Sequence, residues 1–339
     1  MKIAIFAYSR QGCRTARKTM SYFPEAEIKA YTMERFIEKG FSPICRPTKP
    51  FYGELFNWAD ALIFIASCGI AVRKIAAHVR DKQTDPAVIC IDELGTFVIP
   101  LLSGHIGGAN KMALQIADQL KATPVITTAT DINKRFSVDT WAAGNGFVID
   151  NIQHAKMVSA AILERNIPLY CDFPILTDYP NGVVSGESGE LGICISWQKK
   201  TPFEQTLRLI PKILHLGIGC RKGITDTAID EALKMVLDQH KIDIRAIKCV
   251  ASIDLKAEEA GLLKYCQDNG WPLIFYSAKE LQAVQGEFTP SEFVQGITGL
   301  DNICERAALM GAETLVVKKT ALNGVTVAVA AESLEVRFD

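Results

Sequence analysis

No apolar run in the 339 residues approaches the roughly 20 needed to cross a bilayer as a helix. The first such run, residues 3–7, follows Met1-Lys2 directly and gives way to Ser9-Arg10-Gln11, too short for the core of a signal peptide. A cytoplasmic protein is therefore expected. The formal net charge is only -1, so there is no overall positive field to draw nucleic acid or an anionic membrane. Closely spaced metal-ligand pairs are missing as well. The ten cysteines are dispersed, with no C-x-x-C pair and no paired histidines nearby. Cys90 and Cys194 sit inside apolar runs, as befits buried free thiols in a reducing compartment. Also absent are tandem repeats, an obvious nucleophilic-serine motif and a complete phosphate-binding fingerprint.

What is present is ordinary for a globular chain: 48% hydrophobic and 22% charged, with length enough for two or three cored domains. Apolar runs at 2–7, 61–67, 86–91, 96–102 and 124–128 alternate with helical stretches. One of these, 109–120, carries Met112, Ile116 and Leu120 on one face. Strands that are apolar throughout predict a parallel sheet covered on both faces, with ligands outside its carboxyl ends. Those ends would bring Ser67, Asp92-Glu93, Ser103-Gly-His105 and Thr127-Thr-Ala-Thr-Asp131 to one edge. After about residue 131 the pattern changes to a helix at 152–165 and short strands near Leu169, Val183 and Ile193. A strand and glycine-rich basic loop at 213–223 then precede a helix at 226–239, capped by Thr225 or Thr227. Later strands near 248–252, 273–276, 314–317 and 326–330 complete a second α/β unit. The fold class is thus α/β: an N-terminal parallel-sheet domain (1–130), a small middle domain (131–210) and a C-terminal α/β domain (211–339).

Two junctions carry chemistry. Around Ser103-Gly104-His105, with Gly107-Gly108 opening a helix, backbone amides gather about an imidazole. The junction suits an anion or oxyanion, or it is an ordinary turn whose glycines relieve crowding. His105 titrates near working pH and is a candidate general base or acid; Asp92, Glu93, Asp131 and Asp139 are the acids to watch. The second junction places Gly217, Gly219 and Gly223 around Cys220-Arg221-Lys222. Its spacing matches neither the dinucleotide nor the Walker pattern, which leaves two cations ahead of a helix, suited to carboxylates or phosphates. Arg73-Lys74 lies in the helix after the second strong strand, and Glu305 reads as an acid at a helix start.

In one order the chain carries Gly69-Ile-Ala-Val-Arg73, Asp92-Glu-Leu-Gly95, Leu101-Leu-Ser-Gly-His-Ile-Gly-Gly-Ala-Asn110 and Thr128-Ala-Thr-Asp131. Gly217-Ile-Gly-Cys-Arg-Lys-Gly223, Ala251-Ser-Ile-Asp-Leu-Lys256 and Ile303-Cys-Glu305 follow. Together, from about residue 50 to the C-terminus, these motifs closely resemble the cobalt-precorrin-5A hydrolase family of anaerobic cobalamin biosynthesis. The last third also resembles a small stand-alone protein of the aerobic cobalamin route.

The resemblance implies a hydrolase that opens the δ-lactone on ring A of cobalt-precorrin-5A and releases acetaldehyde, giving cobalt-precorrin-5B. On that implication His105 is the general base, oriented by Asp131 or Glu93, with the Gly107 and Gly108 amides at the oxyanion. The polycarboxylate substrate would meet Arg73, Lys74, Ser103, Asn110, Gly219, Cys220, Arg221 and Lys222, in a cleft between the first and third units. Cobalt arrives inside the substrate, so neither a cofactor nor a protein-bound metal is implied. The expected partner is a small-molecule corrinoid, with no nucleic acid and no membrane, and a homodimer is left open. Two rival readings are a non-catalytic corrinoid carrier of the same pathway and a nucleotide-dependent α/β enzyme.

Overall fold

The computed structural model describes the whole chain except residues 82–83, 106, 292–294, 297 and 339. It divides into two compact units, Met1–Thr140 and Trp141–Asp339.

In the first unit, β1 (Lys2–Ala7), β2 (Glu27–Thr32), β3 (Ser42–Pro43), β4 (Ala61–Ile65), β5 (Ala87–Ile91), β6 (Phe97–Leu102) and β7 (Thr123–Pro124) form one sheet. Its order is β3-β2-β1-β4-β5-β6-β7. The alternation within β1 shows why the strands are apolar throughout. Ile3, Ile5 and Ala7 pack with the helices Arg10–Met20 and Ala109–Leu120, whereas Ala4 and Phe6 pack with the helices Thr48–Trp58 and Cys68–Ile75. With both faces covered, each fully buried isoleucine contributes roughly 1.5–3 kcal/mol. Strand β2 and the helix Thr48–Trp58 were not anticipated, because their polar and aromatic residues break the apolar pattern.

All pairings in this sheet are parallel but one. β5 and β6 run antiparallel, with Val88 opposite Leu102 and Ile91 opposite Val98. The turn between them is the cause. The Asp92 carboxylate accepts from the Leu94, Thr96 and Phe97 amides at 3.2, 2.7 and 2.6 Å, and Gly95 takes φ +73°. This reversal overturns the expectation of a single ligand edge. Ser67, Asp92 and Glu93 follow the carboxyl ends of β4 and β5. Ser103, at the end of β6, lies at the opposite edge, where its hydroxyl donates to the Asp85 carbonyl (2.9 Å) just ahead of β5.

The second unit holds two sheets. β8 (Val148–Ile149), β9 (Ile167–Cys171), β10 (Val183–Ser185), β11 (Leu191–Ile195) and β12 (Gln205–Ile210) lie in the order β10-β9-β11-β12-β8. β13 (Leu214–Cys220), β14 (Ile247–Ile253), β15 (Leu273–Tyr276), β16 (Thr314–Leu322) and β17 (Val325–Ala331) lie in the order β15-β14-β13-β17-β16. The two sheets are tied within this unit by a buried ion pair, Arg208 to Asp243 at 2.8 Å, and by the Asp243 amide donating to the Trp197 carbonyl. The middle and C-terminal stretches thus lie together in one compact unit, which begins at Trp141. Asp131 and Asp139 fall in the first unit, where both face His105.

All ten cysteines are free, and six of them are buried, so no disulfide staples either unit. Among the described residues no helix is long and apolar enough to cross a membrane.

Candidate functional site

His105 sits between two carboxylates. Its Nε2 lies 3.2 Å from Asp131 Oδ2 and 3.1 Å from the Thr130 hydroxyl, while its Nδ1 faces Asp139 Oδ1 at 3.7 Å. The second acid is the buried one: the Asp139 side chain is 6% exposed, against 38% for Asp131 and 21% for the imidazole itself. The Asp139 carboxylate therefore does most to raise the imidazole above its ordinary value of 6.5; burial pulls the other way, and Asp131 adds to the rise. Burial also pushes against ionisation of Asp139. The facing imidazole, the Ser137 hydroxyl and the Thr140 amide more than offset that and hold its carboxyl at about 2.

The surrounding loop is built to fix these groups. Asn110, 6% exposed, donates through Nδ2 to Thr128 Oγ1 (2.8 Å) and Asp131 Oδ2 (2.9 Å), so the start of the helix Ala109–Leu120 grips the 128–131 segment. Gly108 takes φ +77°, a left-handed conformation that favours glycine, and a side chain at Gly107 would collide with Ser103. The expected oxyanion role for the Gly108 amide is not what the geometry provides. That amide donates to the His105 carbonyl (2.9 Å), and those of Ala109 and Asn110 donate to the Ser103 and Gly104 carbonyls. These three bonds tie Ser103, Gly104 and His105 to the helix start.

Not every predicted residue reaches this cluster. Glu93 is at the other edge of the sheet, where it accepts from the Ser9 hydroxyl at 2.6 Å, so it does not orient His105. Arg73 and Lys74 belong to the helix that starts at that same far edge. Arg73 donates back to the Gly69 carbonyl, and Lys74 lies over the Tyr52 ring at 5.3 Å. Asp139 was only a watched acid in the sequence, and Thr130 was not singled out. Its one signal was its place beside Asp131 at a helix start.

The second unit contains a cavity of about 580 Å³ at the carboxyl ends of β13 and β14. Gly219, Cys220, Arg221 and Lys222 line it, together with Lys256 and Lys319. Here the sequence-predicted quartet does converge, though not at a helix mouth. The helix Asp226–Gln239 is capped by Thr225, whose hydroxyl accepts from the Ala228 amide. The glycines serve packing. A methyl carbon at Gly217 would lie 1.7 Å from the Cys304 carbonyl oxygen, and one at Gly219 would lie 2.6 Å from Thr326 Oγ1. The Cys220 thiol, which lines the cavity, is pushed up to about 11, chiefly by burial. Lys319 was missed; its signal was a charge pair, Lys318-Lys319, inside a strand.

A covered, mostly parallel sheet with an Asp-His-Asp cluster in one unit and a cationic cavity in the other describe a small-molecule enzyme better than a binding scaffold. Three family models match consecutive stretches: "Cobalamin synthesis G N-terminal" over residues 51–131, "Cobalamin biosynthesis central region" over 136–211 and "Cobalamin synthesis G C-terminus" over 214–330. A cobalt-precorrin-5A hydrolase from Priestia megaterium is 31% identical, covering 96% of this chain and 94% of its own. The enzyme of that name from Salmonella typhimurium is 32% identical, covering 90% of each. Protein CobE from a Sinorhizobium species is 32% identical over 34% of this chain and 79% of its own. The chain belongs to the cobalt-precorrin-5A hydrolase family.

Proposed function

We infer that the chain is a cobalt-precorrin-5A hydrolase: water opens the ring A δ-lactone, and the extruded carbon leaves as acetaldehyde. Kinship over almost the whole length with hydrolases of that name carries the reading. His105 takes the proton as water attacks the lactone carbonyl. Asp139 fixes the Nδ1 side of the ring, and Nε2, facing Thr130 and Asp131, receives the proton. The two carboxylates favour the imidazolium that forms, which is why its pKa stands high. The alkoxide set free by lactone opening then collapses in a retro-aldol-like step, with the electrons drawn into the conjugated cobalt macrocycle. The cobalt is part of the substrate, and none of these steps calls for a resident metal. Arg221 and Lys222 meet carboxylate arms of the macrocycle.

The test is incubation of the full chain with cobalt-precorrin-5A, trapping volatile aldehyde and weighing the corrinoid. Acetaldehyde should appear, with a product heavier by water and lighter by acetaldehyde. Stoichiometric corrinoid binding without aldehyde would make the protein a carrier and sink the hydrolase reading.

A pH profile checks the base. His105 works when deprotonated, so kcat/KM falls as pH drops through its raised pKa. Asp139→Asn removes the largest cause of that rise, so the acidic limb should move to lower pH. A limb that stays in place would show that another group titrates.

A further inference from the structure

Lys319 reaches the cavity through a departure from regular strand geometry. Val317 and Thr320 on β16 pair with Val329 and Val327 on β17, so three steps along one strand match two along the other. In a regular strand Lys319 would follow Val317 onto the face that packs the C-terminal core. The bulge turns it to the cavity instead, the kind of re-aiming that bulges achieve next to functional sites. Glu305 holds the bulge in place. Fully buried, it accepts from the Lys319 amide (2.6 Å) and from the amide and hydroxyl of Thr289 (2.8 and 2.7 Å).

The charges around the cavity do not cancel. Lys256 is matched by Glu259 at 3.4 Å, and Glu305 is occupied by its three donors. Among the described residues Arg221, Lys222 and Lys319 form no ion pair, yet all three line one hollow whose other walls include Ile253, Leu255 and Val325. Cations left uncompensated beside apolar walls suit a ligand that is flat and apolar in its body and anionic at its rim. We propose that this cavity takes the carboxylate-bearing edge of an anionic tetrapyrrole, with Lys319 as the residue that selects for free carboxylates and Glu305 as its positioning residue. The proposal rests on the reading that the chain acts on a cobalt corrinoid.

The probes are cobyrinic acid, a cobalt corrinoid with free carboxylate arms, and its fully methyl-esterified form, each titrated into the full chain. The acid should bind more tightly than the ester, and its affinity should fall with added salt. Lys319→Ala should weaken the acid roughly tenfold, as expected for loss of a charge-assisted hydrogen bond, and leave the ester within about twofold. Lys319→Arg should retain most of the binding. Equal affinity for both probes, no binding of the acid, or a Lys319→Ala loss shared by both probes would each overturn the proposal. Acetaldehyde release from cobalt-precorrin-5A separates this from the functional reading. Normal release with KM unchanged in Lys319→Ala sinks the cavity proposal alone; no release with carboxylate-dependent binding intact sinks the hydrolase reading alone.

Discussion

His105→Ala should lower acetaldehyde release from cobalt-precorrin-5A by roughly 10²–10⁴-fold, the usual worth of a positioned general base, with corrinoid binding nearly unchanged. The expectation follows from where the imidazole stands. It is partly exposed, so water can reach it, and two carboxylates fix its orientation and favour its charged form. The outcome to compare is Glu93→Gln. Glu93 is the other acid that the sequence offered as an orienter, but it serves the Ser9 hydroxyl at the far edge of the sheet, so its loss should leave turnover within a fewfold of wild type. Turnover by His105→Ala close to wild type would remove the imidazole from the chemistry. A large loss in Glu93→Gln would mean that the far edge takes part.

The second large effect belongs to Gly217. Its α-carbon lies so close to the helix Cys304–Leu309 that an added methyl carbon would sit 1.7 Å from the Cys304 carbonyl oxygen and 2.8 Å from the Ala308 nitrogen. Both neighbours are backbone, so neither can swing aside, and Gly217→Ala must push the helix off β13. A cost of about 3 kcal/mol or more is expected from overpacking of this kind. The same shift would displace Cys304 and Asn302 from the cavity wall. Gly108→Ala provides the contrast, with open space around the glycine and only a left-handed φ of +77° to oppose it, worth about 1 kcal/mol. Denaturant unfolding of the two variants decides the matter: similar losses would show that β13 and the helix are not in close contact.

Much of this protein is legible in its amino-acid order because the information is local. Buried parallel strands read as unbroken apolar runs, so β1, β4 and β5 stand out. The helix Ala109–Leu120 shows in its spaced apolar residues, and the Thr225 cap in its hydroxyl. The ordered motifs from Gly69 to Glu305 were enough to point to the family. Strand direction was less plain. The Asp92-Glu-Leu-Gly95 stretch has the composition of a tight turn, yet it was read as the acidic end of a parallel strand.

Residue order alone therefore determined the α/β class and the kinship, since each depends on neighbours in sequence. Only the tertiary structure decided which groups meet. β6 runs against β5 because the Asp92 carboxylate closes a tight turn between them, an arrangement of hydrogen bonds that appears only in the folded chain. That one reversal carried His105 away from Glu93 and towards Asp131 and Asp139. In the second unit a bulge, pinned by the buried carboxylate of Glu305, turned Lys319 from the core to the cavity. Side-chain alternation has a period of two residues, so a single inserted residue reverses its result.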